Sequence, residues 1–218
     1  MSSHVSDRHQ EGGEEFVRRW LENARHLERH GLYDPAWEHD ACGVGLVAAT
    51  DGKPSRRVVE AGIKALKKVW HRGAVDADGK TGDGAGIHVQ IPQDFYKEHV
   101  RRMGHEPREG RLAVGMVFLP RTDLAAQERC RQIVETEILR YGHRIYGWRQ
   151  VPVNVDVIGA KANATRPEIE QVMVENALGV DDSQFQVDLY VIRRRIEKTV
   201  QEECIADFYV CSLSCRSV

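Results

Sequence analysis

The chain has 218 residues, 41% of them hydrophobic and 29% charged, enough for one domain with a real core or one domain plus an appendage. Its 31 basic and 33 acidic residues give a net charge of −2, which leaves no electrostatic case for binding nucleic acid or an anionic membrane. No apolar run approaches the ~20 residues needed to span a bilayer, and the N-terminus lacks the basic-then-apolar order of a signal peptide. The five cysteines have no regular spacing, so they read as reduced thiols in a cytoplasmic compartment.

Residues 1 to about 15 are polar and read as mobile. "FVRRWLENARHLERHG" then puts Phe16, Trp20, Ala24 and Leu27 on one helical face, and Gly31 can end the helix. "LYDPAWEHDA" follows as a loop. The segment 1–41 holds five of the ten histidines. His26 and His30 are helical neighbours, but no cysteine or acidic cluster completes a metal site, so no metal is assigned.

From Gly43 the pattern changes. "GVGLVAAT" reads as a buried strand and "DGKP" as its turn. "SRRVVEAGIKALKKVW" repeats Val59, Ile63, Leu66 and Trp70 as an amphipathic helix. "HRGAVDADGKTGDGAG" is a long glycine-rich loop, and "IHVQI" alternates like a half-buried strand. A short helix over "DFYKEHVRRM" precedes "RLAVGMVFLP", a strand buried on both faces. Thr122 can cap a helix to about Tyr141. "VPVNVDVIG" alternates as a strand through Val151, Val153, Val155 and Val157. Thr165 and Glu168 have capping-box spacing for a helix near 166–177. "FQVDLYVIRRRIEKTV" begins as a strand and ends helical, and "IADFYVCSLSCRSV" is a last strand. That strand runs almost to the final residue, as if the chain were cut inside a domain.

Cys42 sits at the junction of the two regions. By base rates a cysteine beside glycines is a small buried hydrophobe. Cleavage between Ala41 and Cys42 would instead give Cys42 a free α-amino group. Its unperturbed pKa of roughly 7.7–8.0 leaves part of it neutral near pH 7. Nucleophile and general base would then share one residue. Arg72, in "HRGA", precedes a glycine, and its guanidinium can grip a carboxylate in a fork. A helix-terminal arginine also has a plain role at the helix dipole. "TGDGAG" lacks the lysine-serine ending of a phosphate loop and leads into a strand, so nucleotide binding is rejected. It reads either as a tight turn needing positive φ or as a wall where substrate meets backbone. The pocket-wall candidates are Gly43, Gly73, Asp83 and Gly84. Cys211 and Cys215, four apart in a strand, fall on one face about 13 Å apart at ~3.3 Å per residue, too far to share a bond or a metal. Along with Cys130 and Cys204 they read as structural.

"DACGVGLVA", "HRGA" and "TGDGAGI", in this order and spacing, resemble the amino-terminal class II glutamine amidotransferase region of glutamate synthase large subunits. "YDPAWEHDACGVG", "WRQVPVN", "RRRIEK" and "FYVCSLSCRSV" extend the resemblance over roughly Tyr33 to Val218. It implies an α+β fold: the four-layer α/β/β/α sandwich of the N-terminal nucleophile hydrolases, incomplete at the C-terminus. It implies a leader, 1–41, removed so that Cys42 becomes the first residue of the amidotransferase portion, 42–218. It implies that the Cys42 thiolate attacks glutamine, releasing ammonia and leaving a thioester that water hydrolyses, while Arg72 holds the α-carboxylate. No cofactor is implied for this segment. The full-length enzymes it resembles use FMN and an iron–sulfur cluster to aminate 2-oxoglutarate, with electrons from a donor subunit or ferredoxin. The family's oxyanion-hole Asn-Gly pair and a later substrate-binding aspartate are absent from these 218 residues. An oxyanion donor is worth a factor of ~10²–10³, so a truncated or fragmentary chain with little activity is expected. Two other readings stay open: another class II amidotransferase, or a non-catalytic interaction module that keeps Cys42 as a packed residue.

Overall fold

The structure, a computed structural model, describes residues 4–31, 43–69, 73–82 and 84–218, with backbone alone for 4–14 and 16. The chain forms two units, Met1–Val44 and Gly45–Val218.

The first unit carries α1 (His4–His30). This helix starts twelve residues before Phe16, because the first proline of the chain is Pro35 and nothing upstream removes a helical donor. Arg29 and His30 occupy the last turn, where positive charge suits the carbonyl end of the helix dipole. The Gly31 amide closes the helix on the Leu27 carbonyl at 2.8 Å.

In the second unit, Gly45 to Ala49 form no strand, and Leu46 is almost fully exposed. The expected buried strand is therefore corrected: an apolar run becomes a strand only beside a partner, and no described residue pairs with this one. Its turn is present, with the Gly52 amide on the Ala49 carbonyl at 3.1 Å. Helix α2 (Arg56–Lys68) follows as expected, and the Ser55 hydroxyl accepts from the Val58 amide at its start. Helix α3 (Gln93–Arg102) also lies where expected.

The core is one antiparallel sheet. Its strands are β1 (Ala113–Leu119), β2 (Arg144–Gln150), β3 (Glu168–Glu175) and β4 (Tyr209–Ser214), in the order β2-β3-β1-β4. Helix α4 (Leu124–Tyr141) carries the chain from β1 to β2, and α6 (Asp182–Glu202) from β3 to β4. Each helix thus joins two strands separated by a third, giving two interlocked split β-α-β units. Side chains alternate across the sheet. Ala113, Val117, Val172 and Val174 pack with Ile133, Ile138, Phe185, Leu189 and Ile192 of α4 and α6. On the other face Val114 and Met173 pack with Tyr96 and Val100 of α3. Burying each of the Val, Leu, Ile, Phe and Met side chains among them contributes about 1.5–3 kcal/mol. The α+β class is what the structure shows.

Four sequence expectations fail within this sheet. The helix expected near 166–177 is β3, the strand paired on both sides, from Ala113↔Val174 through Leu119↔Glu168 on one edge and along β2 on the other. Pairing on both sides overrides the capping-box signal. The expected Val151–Val157 strand is absent. Pro152 cannot donate to a ladder, the Asn154 side chain caps a short turn of 3-10 helix over Val155–Val157, and Val157 is 69% exposed. The strand lies just before, as β2. The segment from Phe185 is helical throughout as α6, because the Asp181 carboxylate accepts from the Ser183 and Gln184 amides and nucleates it. Lastly, α4 is capped by Asp123, not Thr122: the Asp123 carboxylate accepts from the Ala126 amide at 2.9 Å.

The two strand-like ends of this module meet. Val89 and Val218 exchange two backbone hydrogen bonds of 2.9 Å, and Ile91 donates to the Arg216 carbonyl at 3.0 Å. The "IHVQI" strand is thereby shortened to a bridge, Gln90↔Ser217. Residues 89–91 and 216–218 thus lie side by side.

Candidate active site

Ala41, Cys42, Arg72 and Asp83 lie outside the described residues. The other candidates are described. Gly43, Gly73 and Gly84 are exposed, and a side chain at Gly43 or Gly84 would meet nothing within 4 Å. Such bare backbone is what an approaching ligand requires.

From Val75 to Gly82 the glycine-rich loop is a closed hairpin. Val75 and Gly82 form an antiparallel bridge, the Asp76 amide donates to the Thr81 carbonyl at 2.7 Å, and the Gly79 amide to the Asp76 carbonyl at 2.9 Å. Positive φ occurs here, at +68° on Gly79, so the tight turn falls ahead of "TGDGAG" and not at Gly82. The Asp78 carboxylate organises the tip. One oxygen accepts from the Lys80 amide at 2.9 Å and the Thr81 amide at 2.7 Å. The other accepts from the Thr81 hydroxyl at 2.6 Å. These bonds, the hydroxyl's first, hold the Asp78 carboxyl down at about 2.

The hairpin is tied to the segment before β3. Lys161 of α5 (Ala160–Thr165) reaches the Asp76 carboxylate at 2.6 Å. Gly159, which caps α5, faces the hairpin tip. A Cβ there would stand 2.6 Å from the Thr81 nitrogen, and nearer still to the Thr81 hydroxyl and the Asp78 carboxylate. Sequence reasoning missed this cluster. "DADGKT" carries the signature of an aspartate-capped turn, but nothing in the sequence pairs it with Gly159 or Lys161.

The remaining cysteines separate by burial. Cys130 is in the core and Cys215 is also buried, while Cys204 and Cys211 are exposed, all free thiols. Burial pushes the Cys130 thiol up to about 11, far from the thiolate a nucleophile needs. The expectation that Cys211 and Cys215 share a face is corrected. The β1–β4 register shifts between Met116 and Val117, which pair with Ser212 and Val210. Cys211 is the extra residue of that bulge, and strand alternation is broken there. No helix among the described residues is long and apolar enough to cross a membrane.

The family model of glutamine amidotransferases class-II matches residues 42–218. The chain is 66% identical over 206 residues to the glutamate synthase [NADPH] large chain of Azospirillum brasilense, covering 94% of this chain and 14% of that protein. It is 41% identical over 182 residues to the ferredoxin-dependent glutamate synthase 2 of Synechocystis, covering 83% of this chain and 11% of that one. Against the glutamate synthase [NADPH] large chain of Bacillus subtilis it is 38% identical over 189 residues, or 86% and 12%. The chain therefore spans only a small part of each relative's length. The match to the family model starts on Cys42 and takes in the glycine-rich hairpin and the whole sheet: the chain belongs to the class-II glutamine amidotransferases.

Proposed function

We propose that this chain is the glutaminase portion of a glutamate synthase, with Cys42 as an N-terminal nucleophile. The observation that carries the reading is the family match beginning on Cys42, together with glutamate synthases as its relatives. Cleavage of the Ala41–Cys42 bond frees the α-amine, which takes the thiol proton. The sulfur attacks the side-chain carbonyl of glutamine, and the amide nitrogen leaves as ammonia after receiving a proton. Water then cleaves the γ-glutamyl thioester, returning the thiol and glutamate. Arg72 pairs with the substrate α-carboxylate, and the bare backbone at Gly43, Gly73 and Gly84, beside Asp83, forms the wall it lies against.

The fold proposed for the complete domain is the four-layer α/β/β/α sandwich, in a cytoplasmic setting that keeps the thiols reduced. Ammonia from this site would aminate 2-oxoglutarate elsewhere in the full-length enzyme, with electrons from a donor subunit or ferredoxin. FMN and an iron–sulfur cluster would carry that redox step. Amide hydrolysis transfers no electrons and needs neither.

The test is glutamine hydrolysis by the protein expressed from its complete gene, with and without Cys42→Ala. Ammonia release lost in the variant is expected. Full release by Cys42→Ala would assign the chemistry to another residue, and no release by either protein would favour a non-catalytic module.

A further inference from the structure

Arg149, Gln171 and Met116 stand in one row across β2, β3 and β1, as register partners. The row lies on the sheet face that carries α3, because Met173 and Val114, two residues along their strands, pack there. Gln171 holds the arginine in place: its Oε1 accepts from Arg149 Nη1 at 2.9 Å. The Arg149 guanidinium carbon lies 5.3 Å from the centroid of the Phe95 ring. His99, one turn further along α3, sets its ring edge-to-face against the same ring at 4.6 Å.

The charges here do not balance. Arg102 of the same helix is paired with Glu98 at 3.2 Å. Among the described residues no carboxylate pairs with Arg149, whose contacts are the neutral Gln171 amide and the Phe95 ring. A cation half withdrawn from water is costly without a counter-charge. Burial lowers the His99 imidazole from its ordinary value; Arg149 and then Arg102 push the same way, against Glu98. The ring is thereby neutral near pH 7 and keeps one N–H to donate. We infer that Arg149, His99 and Phe95 form a binding site for a small organic carboxylate. Arg149 takes the carboxylate with the N–H groups that Gln171 leaves free, and His99 donates to it. Phe95, 44% exposed, receives the apolar body. That platform sets the ligand apart from inorganic phosphate, which has no apolar body to place on it. The inference does not depend on the glutaminase reading.

The test is isothermal titration calorimetry of the protein expressed from its complete gene, at fixed ionic strength. Benzoate is the probe, benzamide its uncharged counterpart, and inorganic phosphate an anion without an apolar body. Benzoate is expected to bind on the order of tenfold or more tighter than benzamide, and Arg149→Met to lose that advantage. Phe95→Leu is expected to weaken benzoate about threefold without altering the response to phosphate. Equal binding of benzoate and benzamide, or parent benzoate affinity in a folded Arg149→Met, overturns the site. If Arg149→Met does not fold, Phe95→Leu decides, and parent benzoate affinity there overturns it. Phosphate that binds as tightly as benzoate overturns the carboxylate assignment. None of these outcomes bears on the chemistry proposed for Cys42.

Discussion

Arg131 of α4 grips Glu170 of β3 at two points, Nε to Oε2 at 2.9 Å and Nη2 to Oε1 at 2.6 Å. The Glu170 side chain is 11% exposed and that of Arg131 24%. This pair joins the helical layer to the strand flanked on both sides. Removing the arginine leaves a largely buried carboxylate without its counter-charge. Arg131→Met is expected to destabilise the fold by roughly 3 kcal/mol, whereas Arg131→Met with Glu170→Leu should recover most of it. Urea unfolding followed by circular dichroism measures both; equal stability of Arg131→Met and the parent contradicts the role given to the pair.

Gly115 sits in β1 between β3 and β4. A Cβ there would come within 2.7 Å of Val172 Cγ1 and 3.1 Å of Leu213 Cδ1. Gly115→Ala is expected to cost about 1–3 kcal/mol by overpacking, although alanine suits a strand better than glycine by propensity alone. A gain in thermal stability would show that the sheet relaxes around the added methyl.

Asp78 supplies a pH dependence whose sign follows from its depressed carboxyl. With the folded value near 2 and an ordinary value of 3.8, the hairpin's stabilisation is whole above pH 4 and is lost as pH falls toward 2. Carbon-detected NMR titration should place the Asp78 midpoint near 2. Thr81→Val, which removes the hydroxyl that contributes most, should move it upward. A midpoint of 3.8 in the unsubstituted protein would mean that the hairpin tip is not closed as described.

Thiol reactivity should sort the cysteines. In the native protein at pH 8, iodoacetamide is expected to modify exposed Cys204 and Cys211. It should spare Cys130, held at about 11 by burial, and buried Cys215, whose thiol burial also raises. A glutamine-mimicking electrophile should label Cys42 ahead of all four. Peptide mass mapping reads the order; equal labelling of Cys42 and Cys130 favours a packed, non-catalytic Cys42.

What the sequence made legible was local. Helices α2 and α3 and strand β1 carry their own periodicity, and each lies where the pattern puts it. Strand β3 does not, because "EIEQVMVE" owes its extended state to ladders on both sides, which no window of sequence contains. Helix α6 opens on "FQVDLYV", β-branched and aromatic enough to suggest a strand, and its helicity comes from the Asp181 cap and from burying Phe185, Leu189 and Ile192. The valines at 151, 153, 155 and 157 alternate perfectly yet form no strand, since one proline interrupts the ladder.

The site divides in the same way. Gly43, Gly73 and Gly84 were legible as bare backbone because glycine carries that meaning alone. Asp76 and Asp78 were legible only as part of a long loop, with the tight turn expected later, in "TGDGAG"; the turn itself lies at Gly79. The contacts with Gly159 and Lys161 span about eighty residues of chain and needed the fold to appear.

The central claim is that Cys42 acts as an N-terminal residue, and the most direct measurement is the intact mass of the mature chain purified from expression of the complete gene. The account predicts a chain beginning at Cys42, with residues 1–41 removed. A fully active enzyme that retains Met1 through Ala41 would contradict it.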